Sequence, residues 1–421
     1  MPQKGCVDDL VGHLFRQAST EITAELTRQL GVQHLGLAED VVQEALLKAL
    51  RSWPFHGVPN NPKGWLRTVA KNAAFDRIRR SSRQMDFLPD LDVEARASEE
   101  LLPDEVADSV LRMIFHCCNE NLAGPSRVAL TLGLVGGFST GEISRALFAE
   151  RATIQQRLVR AKRVLKEGEI PFDFPSPANL AARVDSVLDV IYLMFNAGYV
   201  ADQGRELVRR DLVDEAMRLL SVLLENPAIA SPSGEALAAL MCFHAARLTT
   251  RSDEARRLQL LADQDRGRWD QDLIRRGFRH LLAAMKSPAL SRFHLEAGIA
   301  SCHAAAPSTA ATDWPQILKF YDQLLALTSS PVVALNRCVA IAMARGPAAG
   351  FHEFQALEGK EILAPYLCYH VVRAELLSLA GNADESRAAF RLAASLAGSD
   401  PQREYLRSRI DGHSDEAARH D

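Results

Sequence analysis

Residues 37–83 read LAEDVVQEALLKALRSWPFHGVPNNPKGWLRTVAKNAAFDRIRRSSR. Two helices are legible in them. Ala38, Val42, Ala45, Ala49 and Trp53 recur at helical spacing and predict one buried face. Asp40, Glu44, Lys48 and Arg51 fall on the opposite face, with Glu44 four residues before Lys48 in the favourable order. Residues 54–62 hold three prolines, a glycine and two asparagines and predict a loop. A second helix follows from about Lys63 to Arg80, with Trp65, Leu66, Val69, Ala70 and Ala73 as its apolar side.

This second helix is basic. Lys63, Arg67, Lys71, Arg77, Arg79, Arg80 and Arg83 stand against Asp76 alone, a net +6. A phosphate backbone is the usual partner of such a face, although charge by itself fits a solvated surface equally well. The arrangement favours the first reading. D-x-x-Q-E (Asp40, Gln43, Glu44), a loop, then W-L-x-x-V-A-x-N-x-x-x-D-x-x-R from Trp65 to Arg79 resembles the second conserved region of bacterial RNA polymerase sigma factors, nearest the extracytoplasmic-function (ECF) group. The resemblance implies that Asp40, Gln43, Glu44 and Lys48 face the polymerase core. It likewise implies that Lys63, Trp65, Arg67, Lys71, Asn72, Arg77, Arg79 and Arg80 meet the minus-ten promoter element.

The chain has 421 residues, enough for roughly three domains at about 150 residues each. Hydrophobic residues make up 47%, which excludes a disordered chain, and no sustained polar–apolar alternation is visible. An all-α protein is expected. The net charge of −4 is segregated: two local stretches carry +6 each, leaving −16 elsewhere.

The other basic stretch lies in residues 124–168, GPSRVALTLGLVGGFSTGEISRALFAERATIQQRLVRAKRVLKEG. A helix through Val106–Asn121 is expected just before it. Val128, Leu130, Leu132 and Leu134 predict the next helix, closed by Gly136 and Gly137. Ser139 to Glu142 read as a capping box opening another. After a short turn, Ile154, Leu158, Ala161 and Leu165 form the buried stripe of a last helix, which carries six basic residues and no acid between Arg151 and Lys166. Two short helices, a tight turn and a basic second helix make a helix-turn-helix. Glutamine and arginine are the side chains that read adenine and guanine edges.

F-S-T-x-E-I-S-x-x-L and T-I-x-x-R-L-x-R-A-K-x-x-L resemble the fourth region of ECF sigma factors, which binds the minus-thirty-five element. That implies DNA contacts from Thr153, Gln155, Gln156, Arg157, Arg160 and Arg163. Phe148 and Glu150 depart from the family's usual glycine turn and small N-cap. The expected organisation is a first sigma domain at 8–83, an acidic linker at 84–105, a second sigma domain at 106–170 and a helical domain at 178–411. The linker reads either as a solvated spacer or, on the resemblance, as a strand threading the polymerase cleft.

The last part departs from ordinary members, which end near residue 177. Tyr321, Phe354 and Phe390 recur near the 34-residue period of tetratricopeptide (TPR) repeats. Ala374, Ser386, Phe390 and Ala393 occupy positions that let paired helices pack. As a whole the chain resembles the ECF subgroup with a C-terminal TPR-like extension, which MFNAGY (194–199), ADQDRGRWD (262–270), CHAAAP (302–307) and SPVVALNRCVA (330–340) also fit. Stacked hairpins suit a protein or peptide partner.

Seven cysteines without a C-x-x-C pair read as free thiols. Adjacent residues on a helix point about 100° apart, so His116-Cys117-Cys118 and Cys302-His303 are not expected to hold a metal. No cofactor is expected. The ADQDRGRWD cluster is read as an ion-pair network around a buried tryptophan rather than a catalytic site, and no phosphate loop, H-E-x-x-H or G-x-S-x-G occurs. No leader or long apolar run is seen, so a cytoplasmic protein without membrane contact is expected. The combined expectation is a sigma factor and not an enzyme, with RNA polymerase core and double-stranded promoter DNA as partners. The rival reading is a helix-turn-helix regulator with a sensing repeat domain.

Overall fold

The computed structural model describes residues 18–84, 103–147, 149–168, 172, 177–199, 209–252, 258–287, 289–398 and 400–417. Leu10, Leu14, Phe148, most of the acidic linker and most of residues 169–176 lie outside them. Among the described residues every regular element is a helix, and extended pairing is limited to an isolated bridge between Ser252 and Leu258. The chain forms two compact units that divide between Met194 and Phe195.

The first unit begins with helix α1 (18–30), followed by α2 (Leu35–His56) and α3 (Pro62–Gln84). The expected stripe Ala38, Val42, Ala45, Ala49 and Trp53 is buried and meets Leu66, Ala70 and Ala74 of α3. Small alanines on both sides let the helices approach closely. Ile22, Leu26 and Leu30 of α1 complete this core. The expected loop at 54–62 is shorter than its prolines suggest. Pro54 lies inside the last turn of α2, where a missing N–H removes one bond near an exposed end, and Gly57 caps Trp53 with φ of 81°.

α4 (Pro103–Cys117), α5 (Gly124–Leu134), α6 (Thr140–Ala146) and α7 (Arg151–Glu167) follow. Pro103 opens α4 instead of breaking a helix, because a first-turn residue needs no N–H partner. α4 therefore starts and ends earlier than the 106–121 span predicted for it. Val128 to Leu132 are buried without a gap, so the middle of α5 is enclosed on every side.

Thr20 of α1 donates to the Val135 carbonyl at 2.7 Å, joining the first three helices to the next four. The start of α8 (Pro177–Tyr199) belongs here too. Arg127 donates to Ser186 Oγ at 2.8 Å, and Arg183 donates to the Phe115 carbonyl. These bonds carry the first unit past the boundary expected near residue 177.

The second unit holds α9 (Arg210–Glu225), α10 (Pro232–Ala245), α11 (Gln271–Ala284), α12 (Arg292–Ala305), α13 (Trp314–Thr328), α14 (Pro331–Arg345), α15 (Pro347–Gln355), α16 (Leu367–Leu379), α17 (Ala383–Leu396) and α18 (Asp400–Ala417). From α12 onward each helix packs on the next. Phe354 and Phe390 are fully buried in separate core clusters, while Tyr321 is half-buried against a third. Ser386 Oγ donates to the Ala374 carbonyl at 2.8 Å, so the small-residue contact between α16 and α17 is also a hydrogen bond. Gly198 allows the start of α9 to lie against the end of α8, since a Cβ there would stand 2.8 Å from the Arg209 carbonyl.

Among the described residues the ADQDRGRWD stretch forms no ion pair. Trp269 is buried as expected, but Arg266 donates to the carbonyls of His303 and Ala306 at 2.8 and 3.0 Å. Asp265 caps Gly267, and Asp270 caps the start of α11. Two helix-linking loops are thus joined through an arginine and peptide carbonyls.

Candidate nucleic-acid interface

The polar face of α2 is open: Asp40, Gln43, Glu44 and Lys48 are all exposed. Beyond it Leu47, Leu50, Phe55 and Val58 are also exposed, with Phe55 at 85%. Large apolar side chains gathered on one surface segment mark an interaction surface. Reading the loop only for its prolines and glycine missed Phe55 and Val58, although an apolar pair in a turn-rich loop was the available signal.

The basic helix α3 is less free than its +6 suggests. Lys63 pairs with Glu21 of α1. Arg67 donates to Glu25 at 2.8 Å, where the Glu25 side chain is only 3% exposed. Burial holds the Glu25 carboxyl above its usual range despite the opposing fields of Arg67 and Lys71. Arg77 reaches back to α2, pairing with Glu44 and standing 3.9 Å from Asp40. It therefore links the two faces that the sequence suggested for different partners. Trp65 is half-buried, edge-on to Trp53 with centroids 5.6 Å apart. Lys71 is half-buried, while Asn72, Arg79 and Arg80 are exposed on the rest of the helix.

On α7 the predicted row is outward. Thr153, Gln155, Gln156, Arg160 and Arg163 are exposed and Arg157 is half-buried, opposite buried Ile154, Ala161 and Leu165. Leu158 is half-buried. Ser139 and Glu142 form the capping box that starts α6. Ser144 Oγ donates to the Ala149 carbonyl at 2.6 Å and closes the turn into α7. Glu150 precedes α7 with no side-chain cap bond, but its charge suits the positive helix end. Lys162 pairs with Glu39 at 2.7 Å, tying α7 to the start of α2. Sequence reading found none of Glu21, Glu25 and Glu39. Glu25 beside Ile22 and Leu26 was the one visible signal, a charge at the edge of an apolar stripe.

Residues 14–84, which hold the acid-faced helix packed through alanines on the basic one, match the family Sigma-70 region 2. Residues 183–285 match a family of unknown function, DUF6596. The ECF RNA polymerase sigma factor SigE of Mycolicibacterium smegmatis is 29% identical over 37% of this chain and 59% of its own length. The probable ECF RNA polymerase sigma factor SigI of Mycobacterium tuberculosis is 28% identical over 33% of this chain and 49% of its own. SigK of Mycobacterium ulcerans, another ECF RNA polymerase sigma factor, is 28% identical over 31% and 71%. These matches support a sigma-70 family sigma factor, with the family model resting on residues 14–84. An uncharacterized protein of Rhizobium meliloti is 37% identical over 90% of both chains, and this chain belongs to the family of that full-length relative. No solved structure matches the chain.

Proposed function

We propose that the chain is an ECF-type sigma factor that binds RNA polymerase core, directs it to promoters and helps open them, acting as a binding subunit and not as an enzyme. The observation that carries this reading is the region 2 match over residues 14–84, on a fold whose α2 leaves Asp40, Gln43, Glu44 and Lys48 exposed. In this reading that face and the apolar residues after it dock on the core. The exposed end of α3 meets the minus-ten element. α6 and α7 act as a helix-turn-helix, with Gln155, Gln156, Arg157 and Arg160 entering the major groove at minus thirty-five. In this reading the protein acts in the cytoplasm, where its proposed partners are. No described helix is long and apolar enough to cross a membrane.

The second unit is proposed as a TPR-like control element acting on the sigma part of the same chain through a protein, peptide or small ligand. Consecutive packing of α12 to α18 and the buried Phe354 and Phe390 support the repeat reading. Copurification of the full-length chain with polymerase core tests the main proposal. A stoichiometric complex is expected. A folded chain that binds DNA but not core would instead favour a helix-turn-helix regulator.

A further inference from the structure

The second unit contains a cavity of about 350 Å³ that none of the roles above uses. Its walls are mostly apolar, with Leu258, Leu261, Leu367, Val371 and Leu406 among them. One part of the lining differs. His244, near the end of α10, and Arg247 and Arg251 just beyond it also face the cavity.

The two arginines lack a counter-charge among the described residues. Among the described residues neither Arg247 nor Arg251 pairs with a carboxylate. Arg251 is 9% exposed; it donates to the Tyr199 carbonyl at 2.5 Å and stacks over the Tyr199 ring at 3.9 Å. Arg247 Nε donates to Gln264 Oε1 at 3.2 Å, and its two terminal nitrogens make no hydrogen bond with described residues. Gln264 is itself fixed by donating to the Gln259 carbonyl at 3.0 Å. The histidine adds no negative charge: burial, then Arg247 and Arg251, push it down to about 3, and its Nδ1 is buried without a partner.

A buried guanidinium, Arg251, beside a half-buried one, Arg247, with no acid among the described residues is costly, and a bound anion lowers that cost. Arginine matches planar carboxylates bidentately, and a mostly apolar chamber of this size suits a small ligand with an apolar body. We propose that this cavity is a binding site for a small apolar carboxylate, with its head on Arg247 and Arg251 and its body among the leucines. Binding is independent of the transcriptional reading, because it needs neither polymerase nor DNA.

Calorimetric titration of the full-length chain tests it, with octanoate and 4-phenylbutyrate as probes and 1-octanol and octyl phosphate as comparisons. Saturable binding of one carboxylate per chain is expected, with 1-octanol weaker by about tenfold or more. Arg251→Gln and Arg247→Gln should each weaken the carboxylate by about tenfold or more while leaving 1-octanol unchanged. Cys368→Trp, at an exposed residue of the lining, should block binding with the helical circular dichroism intact. Failure of both carboxylates to bind, or equal binding of octanoate and 1-octanol, would overturn the proposal. Tighter binding of octyl phosphate would overturn the choice of carboxylate. Should the arginine variants misfold, the Cys368→Trp result decides alone: undiminished binding refutes the site.

Discussion

Arg67→Ala separates a structural arginine from a DNA-contacting one. The Glu25 side chain is 3% exposed, and Arg67, 26% exposed, donates to it at 2.8 Å. Removing one partner of a buried pair typically costs about 3–5 kcal/mol, because the other charge is left without compensation. Water reaches the Arg67 side of this pair, so a cost of about 2–3 kcal/mol is expected. Amide hydrogen exchange reads it locally. Protection of α1 and α3 should fall by about 30-fold to about 150-fold, while α16 and α17 stay unchanged. Adding Glu25→Gln should recover most of the loss, since a neutral amide tolerates burial better than a lone carboxylate.

The pH dependence gives a second check. The folded Glu25 carboxyl already lies above its ordinary value of 4.5, and losing Arg67 raises it further. Its cost is therefore fully present above the folded value and disappears as pH falls through that value toward 4.5. The difference between variant and parent should shrink between about pH 7 and about pH 5. A variant with unchanged protection, or a loss independent of both pH and Glu25→Gln, refutes the reasoning and returns Arg67 to the DNA-facing set.

Arg160→Ala should weaken specific promoter binding by about 1–3 kcal/mol, as loss of a base or phosphate contact does, and fluorescence anisotropy on a cognate duplex measures it. Unchanged affinity in the folded variant would remove Arg160 from the reading face. Asp40→Lys with Glu44→Lys should impair core binding with the fold retained, since both acids are exposed; both lose Arg77, so adding Arg77→Glu restores the local pairing without restoring docking. Equal core affinity for parent and double variant would show this face to be merely solvated. The second unit should be acid-sensitive. Burial, with help from neighbouring arginines, lowers His244 to about 3 and His303 to about 4, both from 6.5. The unfolded chain takes up these protons first, so stability present above 6.5 is lost as pH falls toward the folded values. Each histidine accounts for about 2 kcal/mol between about pH 7 and about pH 5, and a pH-independent hydrogen-exchange protection of α10 and α12 would contradict this.

What could be read from sequence follows the range of the interaction concerned. The stripe from Ala38 to Trp53, the Ser139–Glu142 capping box and the outward row on α7 depend on neighbours within a turn or two, and all three were legible. The pairing of Lys162 with Glu39 spans 123 residues, and no local pattern announces it. The same holds for Glu21 and Glu25 under α3, which draw Lys63 and Arg67 of the apparent DNA face into internal ion pairs. The ADQDRGRWD stretch misled for a related reason. Its charges suggested partners of opposite sign, yet Arg266 is satisfied by peptide carbonyls that sequence cannot locate. The chamber beside Arg247 and Arg251 was invisible because its lining comes from segments between Tyr199 and Leu406.

As a proposed sigma factor, this chain should confer promoter-specific initiation on RNA polymerase. Reconstituted transcription with purified core on genomic fragments, followed by mapping of RNA 5′ ends, tests it most directly. Discrete start sites should appear only when the full-length chain is added, share upstream sequence near minus ten and minus thirty-five, and weaken with Arg160→Ala. Core that binds the chain yet initiates no differently with it than without it would contradict the account.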